Sequence, residues 1–228
     1  MFRREHRLSP NIVGFSRCFD AFTETGSVTL DFESANPTVI KSIKQRDLLN
    51  TWLRLYAPAR RLPPVEEFQP ARIEDELPDL VFLTVEKAEP PRLTIDSDGT
   101  RMSIAYGHSG KGRYLDEYLG ARLAPLVMPI YHQCLERALP VFTISNVEDS
   151  CGRIVAYERL LLPFSEGHGV THVIASLKTI SEDGSFDIRN LMRGNDNLPT
   201  TICRAVIDRE LFHRSPGRIP SADVIEFI

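Results

Sequence analysis

No apolar run in this chain approaches the ~20 residues needed to cross a bilayer as a helix, and the basic N-terminus has no hydrophobic stretch behind it. Neither a membrane span nor a secretory leader is expected, and a cytoplasmic protein is the reading this supports. Cysteine is sparse: Cys18, Cys134, Cys151 and Cys203 stand far apart with no paired short spacing, which speaks against both a zinc site and a disulfide framework. Charge of one sign is also lacking. A formal net charge of -4 leaves no general surface for nucleic acid, because phosphate binding needs concentrated positive charge. The one basic cluster, Arg3, Arg4, His6 and Arg7, reads as a hydrated tail. No nucleophile elbow, phosphate loop or Cys-His arrangement is present, which removes the usual hydrolase and kinase readings. What the chain does have is length: 228 residues, 42% of them hydrophobic, suffice for one sizeable core.

That core is organised by two apolar runs, IVAYERLLLPF (154–164) and VTHVIASLKTI (170–180), joined by Ser-Glu-Gly-His-Gly. Length, β-branching and the glycine-containing link predict a long antiparallel hairpin. Both side-chain parities of the first run are apolar, with Ile154, Ala156, Leu160, Leu162 and Phe164 on one and Val155, Tyr157, Leu161 and Pro163 on the other. Both faces of the hairpin therefore need covers.

The rest of the chain must supply those covers. The first 35 residues are irregular, with one short strand at 27–32. Asn36-Pro37 then offers a cap and a first-turn proline for a helix running to about Tyr56, stopped by Pro58. Its apolar stripe covers either the sheet or a second subunit. In the second case Leu48, Leu49, Trp52, Leu53 and Tyr56 form a homodimer interface. Runs 80–85 and 92–98 read as a hairpin, and 121–139 returns to helical periodicity with Pro125 near its start and Pro129 hard to place. A third late strand is expected at 141–147. After Ser181 the chain is polar up to an amphipathic helix at 199–214. The expected fold is α+β, with five antiparallel strands, helices on one face and an N-terminal helical extension. The expected organisation is an arm over 1–35, a domain over 36–181 and a C-terminal extension over 182–228.

The order and punctuation of these pieces resemble the PAS domain family, in its bacterial single-domain branch with an N-terminal helix. The residues that carry the resemblance are Leu53-Arg54-Leu55-Tyr56, the run Leu77, Pro78, Leu80, Phe82, Leu83, Val85 and Glu86, then Gly99-Thr100, Tyr106-Gly107, Gly112, Tyr114-Leu115, and 157–163 (YERLLLP). The chain departs from that branch at Asp96-Ser97-Asp98, where an aromatic residue and an arginine are usual. The resemblance implies a sensory or regulatory module in bacterial signalling that acts by binding. Its small-molecule site would lie on the concave face under the longer helix. That site would be lined by Tyr106, by Tyr131, His132, Cys134 and Leu135 of the helix, and by Phe142, Ile144, Tyr157, Val173 and Ala175 of the strands. It also implies a separate signalling partner, since no output element is recognisable.

Other chemistries each find only part of their signature. His132 is placed as the axial ligand of a haem sensor would be, although Tyr131 and Cys134 lie closer to the apolar stripe. The Asn-Cys pair of flavin-binding relatives is absent, and the cofactor is left unknown. His168 and His172 are four apart across a turn, where helical spacing has no meaning. Asp96-Ser97-Asp98-Gly99 opens like a calcium loop but has Gly107 where a glutamate is needed, so it reads as a turn. The Arg3 to Arg7 cluster begins like a cyclic-dinucleotide motif whose second half is missing. An enzyme with an α+β pocket would use Tyr157 and Glu158, which as neighbours in a strand point to opposite faces. For the same reason Glu158 cannot pair with Arg159, and each is expected to find its own partner or reach an edge.

Overall fold

Residues 31–181, 184–193 and 198–208 are described by the computed structural model. The chain divides into two units, Met1–Leu30 and Asp31–Ile228, and all of the described residues belong to the second. Its elements in chain order are β1 (Glu33–Ala35), α1 (Ile43–Ala59), α2 (Ile73–Glu76), β2 (Leu80–Glu86), β3 (Arg92–Asp98), α3 (Thr100–Tyr106), α4 (Leu115–Arg137), β4 (Val141–Glu148), β5 (Ile154–Phe164), β6 (His172–Ile180) and β7 (Thr200–Ile207). No helix among the described residues is long and apolar enough to cross a membrane.

The strands form one sheet in the order β1-β7-β4-β5-β6-β2-β3, which puts β5 at its centre. Neighbours run antiparallel except β1 and β7, which are parallel, so the sheet is mixed. The apolar run that satisfies both side-chain parities is thus the strand with two full neighbours and two covered faces. Its register sets Arg159 opposite Leu177 of β6 and Thr143 of β4, and sets Glu158 opposite Lys178 and Ile144.

One face carries Leu160, Leu162 and Phe164 of β5, Phe142 and Ile174, and is covered by Leu48, Leu49, Trp52 and Tyr56 of α1 with Phe68. Burying each such side chain contributes ~1.5–3 kcal/mol, enough to hold α1 flat on the sheet. Two hydrogen bonds fix its position: Trp52 Nε1 donates to the Pro163 carbonyl at 2.7 Å, and Gln45 Nε2 donates to the Ser176 carbonyl at 3.0 Å. The opposite face carries Val155, Tyr157 and Leu161 and is covered by α3 and α4.

Several expectations are corrected. The sheet has seven strands rather than five, and helices lie on both faces. The stretch read as an amphipathic helix is the strand β7 where it is described, paired with β4. Asn36 caps a 3-10 turn at Pro37–Val39, while α1 begins later, where the Ser42 hydroxyl accepts from Gln45 N–H at 3.3 Å. Pro58 lies inside the last turn of α1, which ends on Arg60 in the left-handed region. The stripe Leu48, Leu49, Trp52, Leu53 and Tyr56 packs on the sheet of its own chain, with only Leu53 partly exposed, so it is not a free surface for a second subunit. β6 begins at His172 rather than Val170, while β3 spans Arg92–Asp98 as that run's alternation predicts, so Asp96 to Asp98 are the end of a strand and not also the turn that the Asp96-Ser97-Asp98-Gly99 motif suggested. The arm's first 30 residues, the basic cluster within it and most of the strand expected at 27–32 lie outside the described residues.

Candidate binding site

The second cover is made of pieces with clear local causes. Gly99 leaves β3 where a Cβ would meet the carbonyl oxygens of Leu77 and Pro78, so the Gly-Thr pair is a close-approach device that lets α3 start against the preceding turn. α4 is broken at Gly120, whose φ of 71° and ψ of 173° are not helical, into a short piece and the segment 121–137. The longer segment continues through both Pro125 and Pro129. Its inner face places Val127, Ile130, Tyr131 and Cys134 on the sheet at helical spacing. Segment 188–193 straps the two helices together. Asn190 and Met192 N–H donate to the Ile104 and Ala105 carbonyls of α3, while Arg122 of α4 donates to the Met192 carbonyl at 2.7 Å and Arg193 to the Tyr118 carbonyl at 2.9 Å.

Beneath this cover lie two small cavities of about 10 Å³ each, on either side of a wall shared by Val127, Tyr157 and Arg159. The first is also bounded by Asp98, Met102, Tyr106, Tyr118 and Tyr131, the second by Leu126, Ile130, Ser145 and Met192. Each has room for a water-sized group. Arg159 is only 3% exposed. Its guanidinium carbon lies 5.3 Å from the Tyr157 ring centroid and 5.9 Å from that of Tyr131. Its Nε–H has no acceptor, and the hydroxyl of its cross-strand neighbour Thr143 is likewise buried and unbonded. The Asp98 carboxylate faces the same cavity but is committed elsewhere, accepting from the Ser109 and Ser103 hydroxyls at 2.6 and 2.8 Å and from Gly110 N–H at 3.1 Å.

Burial raises the phenol pKa values of Tyr106, Tyr157 and Tyr131, the last to about 12, so all three stay protonated at neutral pH. Burial pulls the Arg159 guanidinium down, but the oxygens of Tyr157, Tyr131 and Tyr106 more than offset it, and the group remains charged. The side chains therefore present one fixed positive charge with the Tyr106 and Tyr131 hydroxyls beside it, while the Tyr157 hydroxyl donates to Met102 Sδ at 3.8 Å, in a mainly apolar lining that also holds Asp98, Ser145 and Thr201.

Of the ten residues expected to line a ligand site, Tyr106, Tyr131 and Tyr157 border the cavities. Cys134, Leu135, Val173 and Ala175 lie in the same core without bordering them, and the Cys134 thiol points to the Leu139 carbonyl. Phe142 and Ile144 are on the other face, under α1, because they share parity with Leu160 across the sheet. His132 borders neither cavity. Met102, Tyr118, Val127 and above all Arg159 were missed. Tyr157 and Arg159 share a parity in β5, and that two-residue spacing was the available signal for Arg159. The expectation that Glu158 and Arg159 each find a partner of their own or reach an edge is also overturned, since both are buried on the central strand with no ion pair among the described residues. Glu158 is buried on the α1 face with Oε2 unbonded, and burial raises its pKa. Among the described residues no group of three His, Cys, Asp or Glu is placed to hold a metal ion.

A second polar cluster sits at the Leu77–Asp79 turn. Buried Glu76 pairs with Lys178 of β6 at 2.7 Å and with Lys44 of α1 at 2.9 Å, while buried Asp79 pairs with Lys178 and with Arg101 of α3 at 2.6 Å. Burial works to raise the Glu76 pKa, but the two lysines prevail and hold it below its ordinary value. Every carboxylate here has a cation, as a structural ion-pair network requires.

Comparison with known proteins gives one match: residues 40–177 fit the family described as PAS domain. The matched span runs from the residues before α1 to β6, so α1 is part of the family domain rather than an extension of it. No curated protein and no solved structure matches the chain.

Proposed function

Because the chain belongs to the PAS domain family, whose members are generally sensory and regulatory modules, we propose that it acts by binding rather than by catalysis. A small molecule enters the core between α3, α4 and the sheet, and its occupancy resets the position of the two helices. The segment 188–193, bonded to both helices, carries that change toward the far sheet edge, where a separate signalling protein reads it. Any homodimer in this reading uses a surface other than the α1 stripe.

The observation that carries the reading is the convergence of Arg159 and three tyrosines on cavities within an apolar core. A few polar groups in an apolar enclosure are what orient a ligand. The enzyme alternative has less behind it. Tyr157 is held protonated by burial and Glu158 lies on the opposite face, so the pair cannot share one substrate. Native against denaturing mass spectrometry of freshly purified protein, with hydrogen exchange on the same sample, tests the proposal. An extra mass lost on denaturation, with slower exchange across α3 and α4 when it is present, supports it. A protein that carries no extra mass, and whose exchange no member of a broad metabolite panel alters, overturns it.

A further inference from the structure

Arg159 is the feature the fold does not explain. A buried guanidinium without a carboxylate costs stability, and an apolar side chain of the same volume would fill the space more favourably. The carboxylates near α3 are engaged elsewhere: half-buried Asp98 accepts from two hydroxyls and an N–H, and buried Asp79 pairs with Arg101 and Lys178. Arg159 alone is left with neutral phenols, an unused Nε–H and an unbonded Thr143 hydroxyl beside it.

We propose that Arg159 is the binding group for a short-chain monocarboxylate, whose head takes the guanidinium fork and whose tail lies against Val127 and Met102. The inference rests on the binding reading above and names its ligand class. One guanidinium balances one negative charge, so a monoanion is matched and a phosphate dianion is not. The planar fork suits a carboxylate, with two parallel N–H donors for two oxygens. The hydroxyls of Tyr106, Tyr131 and Thr143 supply further donors. The two cavities lie on either side of Arg159, each of about 10 Å³, so a carboxylate head takes the place of a water at the guanidinium, and a tail of a few carbons requires the flexible Met102 side chain and the α3–α4 cover to move outward.

The test uses the full chain with sodium propionate as probe, propionamide as its uncharged isostere and sodium chloride as the ionic-strength control. Melting is followed for the wild type and for Arg159→Met, and the arginine Nε–H signals of the wild type are followed by NMR. Propionate is expected to raise Tm saturably and to shift one buried Nε–H, with propionamide at least about ten-fold weaker. Arg159→Met is expected to melt no lower than the unliganded wild type and to lose the propionate response. If propionamide matches propionate and Arg159→Met binds both, the anion assignment falls while the binding reading stands. If neither probe moves Tm or any Nε–H, the carboxylate assignment is overturned, and the native mass measurement decides the binding reading separately. Should Arg159→Met not fold, the Nε–H titration of the wild type decides alone.

Discussion

Two buried glutamates, Glu76 of α2 and Glu158 of β5, carry opposite consequences for stability. Glu76 is held ionised by Lys178 and Lys44, its pKa lowered, so its contribution is present above its ordinary value near 4.5 and is lost as pH falls below it. Glu158 has a raised pKa, so the folded state is favoured while it is protonated and loses stability as pH climbs above 4.5 through the folded value. Glu158→Gln is therefore expected to raise Tm near pH 7.5 and to have little effect below pH ~4. Melting curves of both proteins across that range check it, and a variant that melts lower at pH 7.5 would show that the carboxylate has a stabilising partner. The sequence made the separation of Glu158 and Arg159 legible, since strand parity is local. What surrounds Arg159 was not, because Tyr106, Tyr131 and Thr143 reach it from three other elements.

At the level of elements, α1 is fixed by a contact that pattern alone does not show. The apolar stripe said that one face is buried but not against what. The Trp52 bond to the Pro163 carbonyl identifies the sheet of the same chain as the cover's partner. Trp52→Phe keeps most of the ring and leaves that carbonyl unbonded, for an expected loss of about 1–3 kcal/mol. Trp52→Ala is expected to lose about 3–5 kcal/mol through the cavity it opens. Denaturant titration measures both, and light scattering should show an unchanged oligomeric state, because the residue faces inward. The start of α1 was misplaced because Asn36-Pro37 and Ser42 are both credible caps, and only the chain's path chooses between them. β7 was misread for a related reason. Its run of Thr200 to Ile207 is short and half-exposed, and its partner β4 is remote in sequence, so helical and strand periodicities competed without the pairing that decides them.

Over the whole molecule, the family match ends at Leu177, whereas the sheet does not. β7 and β1 lie outside the matched span and extend the sheet beyond β4, covering an edge that would otherwise present open backbone groups. β7 also buries Ala205, Val206 and Ile207. Deleting residues from 198 onward is expected to lower Tm by more than about 5 °C, since Val206 and Ile207 alone contribute about 1.5–3 kcal/mol each, and to promote association through the uncovered β4 edge. Scanning calorimetry with light scattering checks this. A truncated protein that melts like the parent and stays dispersed would mean that β7 is dispensable decoration.

Trp52 is the only tryptophan in the sequence, stacked on Tyr56 at 4.8 Å and bonded to β5 four residues beyond Arg159. Its near-ultraviolet emission is therefore a single-site signal, coming from the face of the sheet opposite the cavities. A colour change in that light when a compound is added would record strain passing through the central strand from one side of the protein to the other. The molecule carries its own optical gauge of whether its two sides communicate.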